Sequence, residues 1–137
     1  MPDKVFIDTN ILIYAYSVDE SEKQAIVSRI LSDQKESAII SIQVLNEISN
    51  TLFKKFKKTA MEVENVVLEL ARSFQVVDFS IHTQLMAIHL KDQYCLQFYD
   101  ALIVATALEN DCSIVISEDM QNGLVIQNRL TIRNPFS

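Results

Sequence analysis

The chain has 137 residues, 49% of them hydrophobic, and a formal net charge of −6. This length suits one domain, residues 1–137, with enough apolar side chains for a core that needs no disulfides, and no apolar run reaches the ~18 residues of a membrane span. The acidic balance argues against nucleic-acid binding by bulk electrostatics, although carboxylates gathered around a divalent cation would leave phosphate chemistry open.

The N-terminus, the cysteines and the glycine content narrow the class further. The chain enters VFIDTN directly, without the charged, apolar and small-residue regions of a secretion signal, so we expect a cytoplasmic protein. Cys95 and Cys112 lack CxxC or zinc-ligand spacing, which predicts reduced, small, buried side chains. With Gly123 as the single glycine, Gly-rich phosphate loops are absent, and we expect no nucleotide cofactor.

The first segments predict a strand followed by two helices. KVFI, at residues 4–7, is a short apolar run typical of a buried strand. Asp8 or Asn10 is placed to cap the helix that contains ILIYAY. Ser21 and Gln24 form a capping-box pattern that predicts another helix of about three turns.

The middle of the chain repeats this alternation. SAIIS, at residues 37–41, predicts the second strand, and a long helix is predicted over residues 42–58. Thr59 and Glu62 form a capping box that predicts a helix over residues 60–73. The side of the long helix that faces the core is predicted to carry Leu45, Ile48, Leu52 and Phe56.

The second half supplies the remaining elements. Strands are predicted at residues 74–79, 113–117 and 130–133, and helices at residues 80–92 and 98–110. Continuously apolar strands that alternate with helices are typical of a parallel sheet covered on both faces. The pattern therefore predicts a three-layer α/β/α sandwich with a mostly parallel, five-stranded sheet.

Asp100 is the first sign of a functional site. It stands near the start of the apolar helix FYDALIVATALE, with no Lys or Arg close in sequence. An uncompensated carboxylate in buried surroundings costs several kcal/mol. We therefore expect Asp100 to share a metal ion with other carboxylates.

Three further acidic residues are placed to reach the same edge of the sheet. Asp8 follows the first strand, Asp119 lies two residues past the fourth, and Glu47 lies in the second turn of the helix after the second strand. Singly, each acid also has a plainer explanation: Asp8 or Asp100 as a helix cap, Asp119 as a turn residue, Glu47 as solvated helix surface. Together they would repel one another unless a cation binds, and an all-oxygen set favours Mg²⁺ or Mn²⁺ over zinc.

These segments also carry a family resemblance. VFIDTNILIYA, VLNE, FYDALIVATAL and SIVISEDM, in this order, resemble the PIN-domain ribonucleases, and most closely the VapC-type toxins of bacterial toxin–antitoxin pairs. The resemblance spans essentially the whole chain. It implies the strand order 3-2-1-4-5, Mg²⁺- or Mn²⁺-dependent endonuclease activity on RNA, and inhibition by a cognate antitoxin. The catalytic and metal-binding residues that it implies are Asp8, Glu47, Asp100 and Asp119, with Asn10 and Ser117 in support.

The residues alone do not decide between Glu118 and Asp119, which adjoin; the spacing from Ser117 in the resemblance favours Asp119. His82 and His89 lie seven positions apart on one predicted helix that bears none of the four acids, so we expect structural or surface roles for them. A metal-free ribonuclease would need such histidines for acid–base catalysis. Hydrolysis by metal-activated water predicts products with 5′-phosphate and 3′-hydroxyl ends.

Lysines near the end of the long helix suggest an RNA track. At ~100° per residue, one side of a helix over residues 42–58 carries Glu47, Thr51, Lys54 and Lys58. We expect Lys54 and Lys58 to contact RNA phosphates, with Lys55 and Lys57 beside them. The alternative is a solvated helix end whose cations favour the helix dipole.

Other function classes fit the sequence less well than a nuclease. A haloacid-dehalogenase-like phosphohydrolase would need an acid two residues after Asp8, where this chain has Asn10, and the acidic pair and lysine of a response-regulator receiver have no match. A catalytically silent PIN-like module for RNA binding or protein interaction stays open, although all four acids are present. We also expect a homodimer, because helices over residues 62–73 and 80–92 carry more apolar side chains than one core can hide.

Overall fold

A six-stranded sheet forms the centre of the computed structural model, which describes residues 3–137; Met1 and Pro2 of the expected domain lie outside the described residues. The sheet has the order β3-β2-β1-β4-β6-β5, with every neighbouring pair parallel except β5 and β6. The strands in chain order are β1 (Val5–Ile7), β2 (Ala38–Ser41), β3 (Gln75–Val77), β4 (Ile114–Ile116), β5 (Val125–Ile126) and β6 (Leu130–Arg133).

The predicted α/β fold is confirmed, and the five predicted strands have the expected order, but the strand count of five is wrong. The additional strand, β5, has two residues and pairs antiparallel with β6. The chain reverses between them through Gln127 and Asn128, whose φ angles are 53° and 55°. Such a left-handed turn usually carries glycine, and a two-residue strand is too short to show alternation of apolar and polar residues. No local sequence pattern therefore predicts this hairpin.

Six helices cover the sheet. The chain advances from β1 to β2 and β3 in one direction and then crosses back to β4, on the other side of β1. Because parallel crossovers are right-handed, the helices before β3 cover one face of the sheet and the two after it cover the other. Within residues 3–137, no helix is long and apolar enough to cross a membrane. The helices are α1 (Thr9–Tyr14), α2 (Ser21–Asp33), α3 (Ile42–Lys54), α4 (Ala60–Ser73), α5 (Ile81–Tyr94) and α6 (Phe98–Glu109).

The helix starts confirm two predicted caps and correct a third. Asp8 is the N-cap of α1, and its side chain accepts a hydrogen bond from the Thr9 amide. At the start of α4, Thr59 and Glu62 form the expected capping box, with the Glu62 amide donating to Thr59 Oγ1 at 3.2 Å. The capping box predicted for α2 is wrong, since the helix begins at Ser21 without a side-chain cap. The side-chain Nε2 of Gln24 instead donates a hydrogen bond to the carbonyl oxygen of Ala15 at 3.2 Å, which connects α2 to the end of α1.

The long helix is shorter than predicted, and this changes the lysine track. The stripe from Leu45 to Leu52 is buried as expected, but α3 ends at Lys54 instead of Lys58. Lys57 adopts a left-handed conformation with φ of 54°. Beyond it, the Lys58 ammonium lies 3.8 Å from the Glu62 carboxylate, so it belongs to the start of α4. Lys58 therefore does not continue the helix side that begins at Glu47.

The two cysteines differ in solvent exposure, whereas both histidines are exposed. Cys112 is buried, as predicted, and its burial raises the pKa of the thiol to about 11. Cys95 is exposed at the left-handed end of α5, so the prediction of a buried side chain is wrong there. His82 and His89 both lie on the exposed surface of α5, in agreement with a surface role.

The helix α6 is buried along most of its length, so truncation within it should destabilise the fold. Ile103 is 2% exposed. We expect Ile103→Ala to lower the free energy of unfolding by about 2–5 kcal/mol, because it removes buried methyl groups and leaves a cavity. Urea denaturation measures this change. The matched control is Ile81→Ala, since Ile81 is 76% exposed, and a loss as large as that of Ile103→Ala would contradict the packing described here.

Candidate active site

An open cavity of about 390 Å³ lies where the strand order reverses. Asp8 directly follows β1, and residues 117–119 directly follow the neighbouring strand β4. The carboxyl ends of parallel strands at such a reversal form a crevice, which is where ligands bind in open α/β sheets. The structure brings the four predicted acids together here, because the cavity is lined by Asp8, Glu47, Asp100 and Asp119.

Asp8 is the most buried acid of the site, with 5% of its surface exposed. Its Oδ1 accepts a hydrogen bond from the Thr9 amide at 2.7 Å, and its Oδ2 accepts one from the Ser117 hydroxyl at 2.8 Å. The pKa of Asp8 is raised to about 7, chiefly by burial and to a smaller extent by the charges of Asp100 and Glu47, and the two hydrogen bonds oppose this rise. Asp8 is therefore a carboxylate whose negative charge the cavity does not compensate.

Asn10 joins two acids from different strands. Its Oδ1 accepts a hydrogen bond from the Glu118 amide at 3.1 Å, which points its Nδ2 toward the carboxylates. That Nδ2 lies 2.9 Å from Asp119 Oδ2 and 3.3 Å from Asp8 Oδ2. A neutral amide thus connects the end of β1 to the segment after β4 without neutralising either charge.

Asp100 and Glu47 reach the cavity from opposite layers of the fold. Asp100 lies in the first turn of α6, where burial raises its pKa and the charges of Asp119 and Glu47 add to the rise. Glu47 projects from α3 and accepts a hydrogen bond from Gln43 Nε2 at 2.7 Å. The two carboxylates therefore add negative potential to the same cavity from both sides of the sheet.

Glu118 and Asp119 have different surroundings. The Glu118 carboxylate accepts hydrogen bonds from the Tyr14 hydroxyl at 2.5 Å and the Lys23 ammonium at 2.7 Å. Burial opposes ionisation of Glu118, but these two hydrogen bonds outweigh it and lower its pKa. The Lys23 ammonium also lies 5.1 Å from the ring centroids of Tyr14 and Phe136. Glu118 is thus engaged by its own cation, and Asp119 is the neighbour bonded to Asn10.

The donor set suits a hard divalent cation. Carboxylate, amide and hydroxyl oxygens are the ligands that Mg²⁺ and Mn²⁺ prefer, and no His or Cys lines the cavity. Within residues 3–137, no three His, Cys, Asp or Glu side chains are already arranged to hold a metal ion. A cation would therefore have to draw the carboxylates closer. Its charge would offset both the burial and the mutual repulsion that raise the pKa values of Asp8 and Asp100.

Sequence reasoning missed several residues beside the acids. Tyr14 lies four positions after Asn10, and Gln43 lies four before Glu47, so helix-face spacing could have found both. Lys23 gave no signal, because its partner is 95 positions away. Among the lysines of the expected track, Lys55 lines the cavity, although Lys54 and Lys58 were the residues predicted.

A comparison with protein families identifies the class of domain. The PIN domain profile matches residues 5–121, and the chain therefore belongs to the PIN domain family. Comparison with curated protein sequences gives no match.

Solved structures confirm the fold and its likeness to VapC-type toxins. A toxin–antitoxin complex from Klebsiella pneumoniae has a TM-score of 0.75 at 21% identity, covering 96% of this chain and 98% of that one. DNA-bound VapBC from Salmonella typhimurium has a TM-score of 0.70 at 19% identity, covering 98% and 99%. VapC20 from Mycobacterium tuberculosis, described as a sarcin–ricin loop cleaving toxin, has a TM-score of 0.68 at 14% identity, covering 82% and 87%. At these identities the likeness shows the fold.

The raised pKa of Asp8 predicts a pH dependence of stability in the metal-free protein. Its folded pKa of about 7 lies above the ordinary value of 3.8, so folding favours the protonated form. This contribution is complete below the ordinary value and is lost as the pH rises through about 7. In EDTA, we expect the free energy of unfolding to fall over this range by at most about 1.4 kcal/mol per pH unit.

Urea titrations across this pH range measure the slope, and Asp8→Asn should remove most of it. The matched control is Asp19→Asn, which removes an exposed carboxylate outside the cavity and should keep the wild-type slope. Equal slopes for wild type and Asp8→Asn would contradict the assignment.

Proposed function

We propose that this PIN domain is a metal-dependent endoribonuclease and the toxin of a type II toxin–antitoxin pair. The observation that carries the proposal is the cavity at the strand reversal, which four carboxylates from four separate segments line. Membership of the PIN domain family supports it. So does the likeness of the fold to VapC20, which is described as a sarcin–ricin loop cleaving toxin.

The acids would hold Mg²⁺ or Mn²⁺, with the roles assigned as follows. When bound, the ion supplies activation of water for in-line attack on a phosphodiester and stabilisation of charge on the leaving oxygen. Ser117 and Asn10 hold the carboxylates of Asp8 and Asp119 by hydrogen bonds, which fixes the directions of their oxygens. Since water and not the ribose 2′-hydroxyl attacks, the products carry 5′-phosphate and 3′-hydroxyl ends. The proposed metal-binding residues are Asp8, Glu47, Asp100 and Asp119.

Because α3 ends at Lys54, the set of lysines proposed to contact RNA differs from the one predicted from the sequence. Lys55 lines the same cavity as Glu47 and Thr51, so its ammonium is available to a phosphate that approaches the carboxylates. Lys54 is exposed on the last turn of α3 and remains a candidate beside it. Lys58 contributes less, because its charge is shared with Glu62.

The proposed partners are RNA, a cognate antitoxin and a second copy of the chain, all in the cytoplasm. The neighbours from Klebsiella pneumoniae and Salmonella typhimurium are a toxin–antitoxin complex and a VapBC complex, which supports an antitoxin for this chain. Two helices carry the apolar surface expected of a homodimer. The large apolar side chains exposed there are Met61 and Leu68 on α4 and Ile81, Leu85 and Ile88 on α5.

A second candidate function is a PIN-like module that binds RNA or protein without cutting. One observation favours it: among the described residues, no acidic triad is already arranged for a metal ion. Membership of the PIN domain family argues against the haloacid-dehalogenase alternative. RNA cleavage separates the remaining two.

Asp100→Asn should abolish metal-dependent RNA cleavage. The change removes one negative charge from the cavity and keeps the size of the side chain, so we expect activity to fall by at least about 100-fold. Single-stranded RNA is digested with Mg²⁺ or Mn²⁺ and with EDTA, and the ends of the products are determined.

The matched control for this experiment is Glu118→Gln. Glu118 lines the cavity but is engaged by Lys23 and Tyr14, so its loss should reduce cleavage much less than Asp100→Asn or Asp119→Asn does. Cleavage that survives EDTA or Asp100→Asn would rule out the metal mechanism. An intact protein that never cleaves would favour the silent module.

Lys55→Ala should weaken RNA binding and reduce its salt dependence. Each phosphate contact that is lost lowers the slope of log affinity against log salt by about 0.7 for a single strand. We expect the slope to fall in the single variant Lys55→Ala and in the double variant that combines Lys54→Ala with Lys55→Ala. Fluorescence anisotropy at several salt concentrations measures the slope. Lys58→Ala is the comparison, because Lys58 pairs with Glu62. An unchanged slope in the double variant would remove the proposed track.

A further inference from the structure

A second groove adjoins the acid cavity and has a different chemistry. It has a volume of about 450 Å³ and shares Glu47 with the first cavity. Tyr99, on its edge, directly precedes Asp100 at the start of α6. A ligand held in this groove would therefore lie beside the carboxylates. The groove is lined by Gln43, Asn46, Glu47, Asn50 and Tyr99.

Tyr99 presents an aromatic surface to solvent at this edge. It is 68% exposed. The Phe98 ring packs against it edge to face, with the centroids 5.6 Å apart and an interplanar angle of 70°. Phe98 thus supports the ring of Tyr99, and most of that ring is left available for stacking.

The floor and wall of the groove carry amide groups. Asn46 and Asn50 lie one turn apart on α3, both exposed, and neither side chain hydrogen-bonds within the described residues. Gln43 is 9% exposed; its Nε2 donates to Glu47, while its buried Oε1 has no partner among residues 3–137. An unsatisfied buried acceptor is costly, so a ligand that donates a hydrogen bond there would be favoured.

The charge of the groove selects against a phosphate. Among residues 3–137, no Lys, Arg or His side chain lines it, and its lining includes the carboxyl group of Glu47. Amides that can donate and accept, next to an exposed aromatic ring, are instead the groups that proteins use to hold unpaired bases of single-stranded RNA. A peptide from a protein partner fits less well, because an apolar anchor would have to cover the amides of Asn46 and Asn50.

We propose that this groove binds one unpaired nucleobase of the RNA, next to the phosphodiester that the acid cavity receives. The base stacks on Tyr99, and its polar edge bonds to the amides of Asn46 and Asn50. Glu47 connects the two sites, since Gln43 donates to the same carboxylate that faces the acid cavity. The proposal rests on the proposed ribonuclease function and deepens it by placing part of the substrate.

The test measures RNA binding separately from cleavage. A short fluorescein-labelled single-stranded RNA is titrated with protein in Ca²⁺ at fixed salt, and a gel checks that the RNA stays intact. We expect Tyr99→Ala to weaken binding by about tenfold, because it removes the stacking surface. Tyr99→Phe should bind within about twofold of wild type, since it keeps the ring. Thermal unfolding checks that each variant is folded.

The matched control is Phe53→Ala. Phe53 is an exposed aromatic side chain on α3, 46% exposed, and it lines neither cavity. Its truncation should leave RNA affinity unchanged. A double variant combines Asn46→Ala with Asn50→Ala. It should still bind RNA through Tyr99, but the base found beside the cut should change. Sequencing of the products cleaved in Mn²⁺ identifies that base.

The outcomes separate this proposal from the ribonuclease itself. If wild type cleaves RNA but folded Tyr99→Ala binds as tightly as wild type, the nucleobase site is overturned and the nuclease stands. If wild type does not cleave in Mg²⁺ or Mn²⁺, but Tyr99→Ala and not Phe53→Ala weakens binding, the groove is supported and the nuclease fails. Two further outcomes would overturn the site. One is an equal loss of RNA affinity in Tyr99→Ala and Phe53→Ala, and the other is a Tyr99→Ala protein that keeps its RNA affinity but no longer binds a partner protein.

Discussion

Electrostatic repulsion among carboxylates is the constraint on which this structure depends. The site gathers four acids at one crevice, where the amide of Asn10 and the hydroxyl of Ser117 donate hydrogen bonds to Asp119 and Asp8. Burial of Asp8 raises its pKa to about 7, and the charges of Asp100 and Glu47 contribute to this rise. The arrangement lowers the stability of the metal-free fold at neutral pH, and a divalent cation is the ligand that would reverse this effect.

The sheet order explains how residues distant in sequence meet. Since β4 lies beside β1 and runs parallel to it, the segment after β4 lies next to the segment after β1, and Asn10 can bond to Asp119 across 109 positions. The helices α3 and α6 lie on opposite faces of the sheet, and only its edge is open to both. The position of Glu47 and Asp100 on these helices therefore makes the edge the one place where the acids can converge.

Neighbouring residues of like charge can have separate roles when their partners differ. The side chain of Glu118 is held by Lys23 and Tyr14, and its backbone amide is held by Asn10. With Glu118 anchored at both its backbone and its side chain, Asp119 is left on the side of Asn10. The Lys23–Glu118 ion pair, outside the set of four acids, thus positions Asp119.

The sequence by itself determined the apolar strands, the capping box at Thr59 and the set of acids, because burial patterns and caps are local and period-dependent. Tertiary structure alone decided the end of α3 near Lys54, the engagement of Glu118 by Lys23 and the pairing of β5 with β6. Each of these depends on contacts between segments whose separation in sequence carries no periodic signal. Local chemistry specified which groups the site contains, and packing specified which of them face one another.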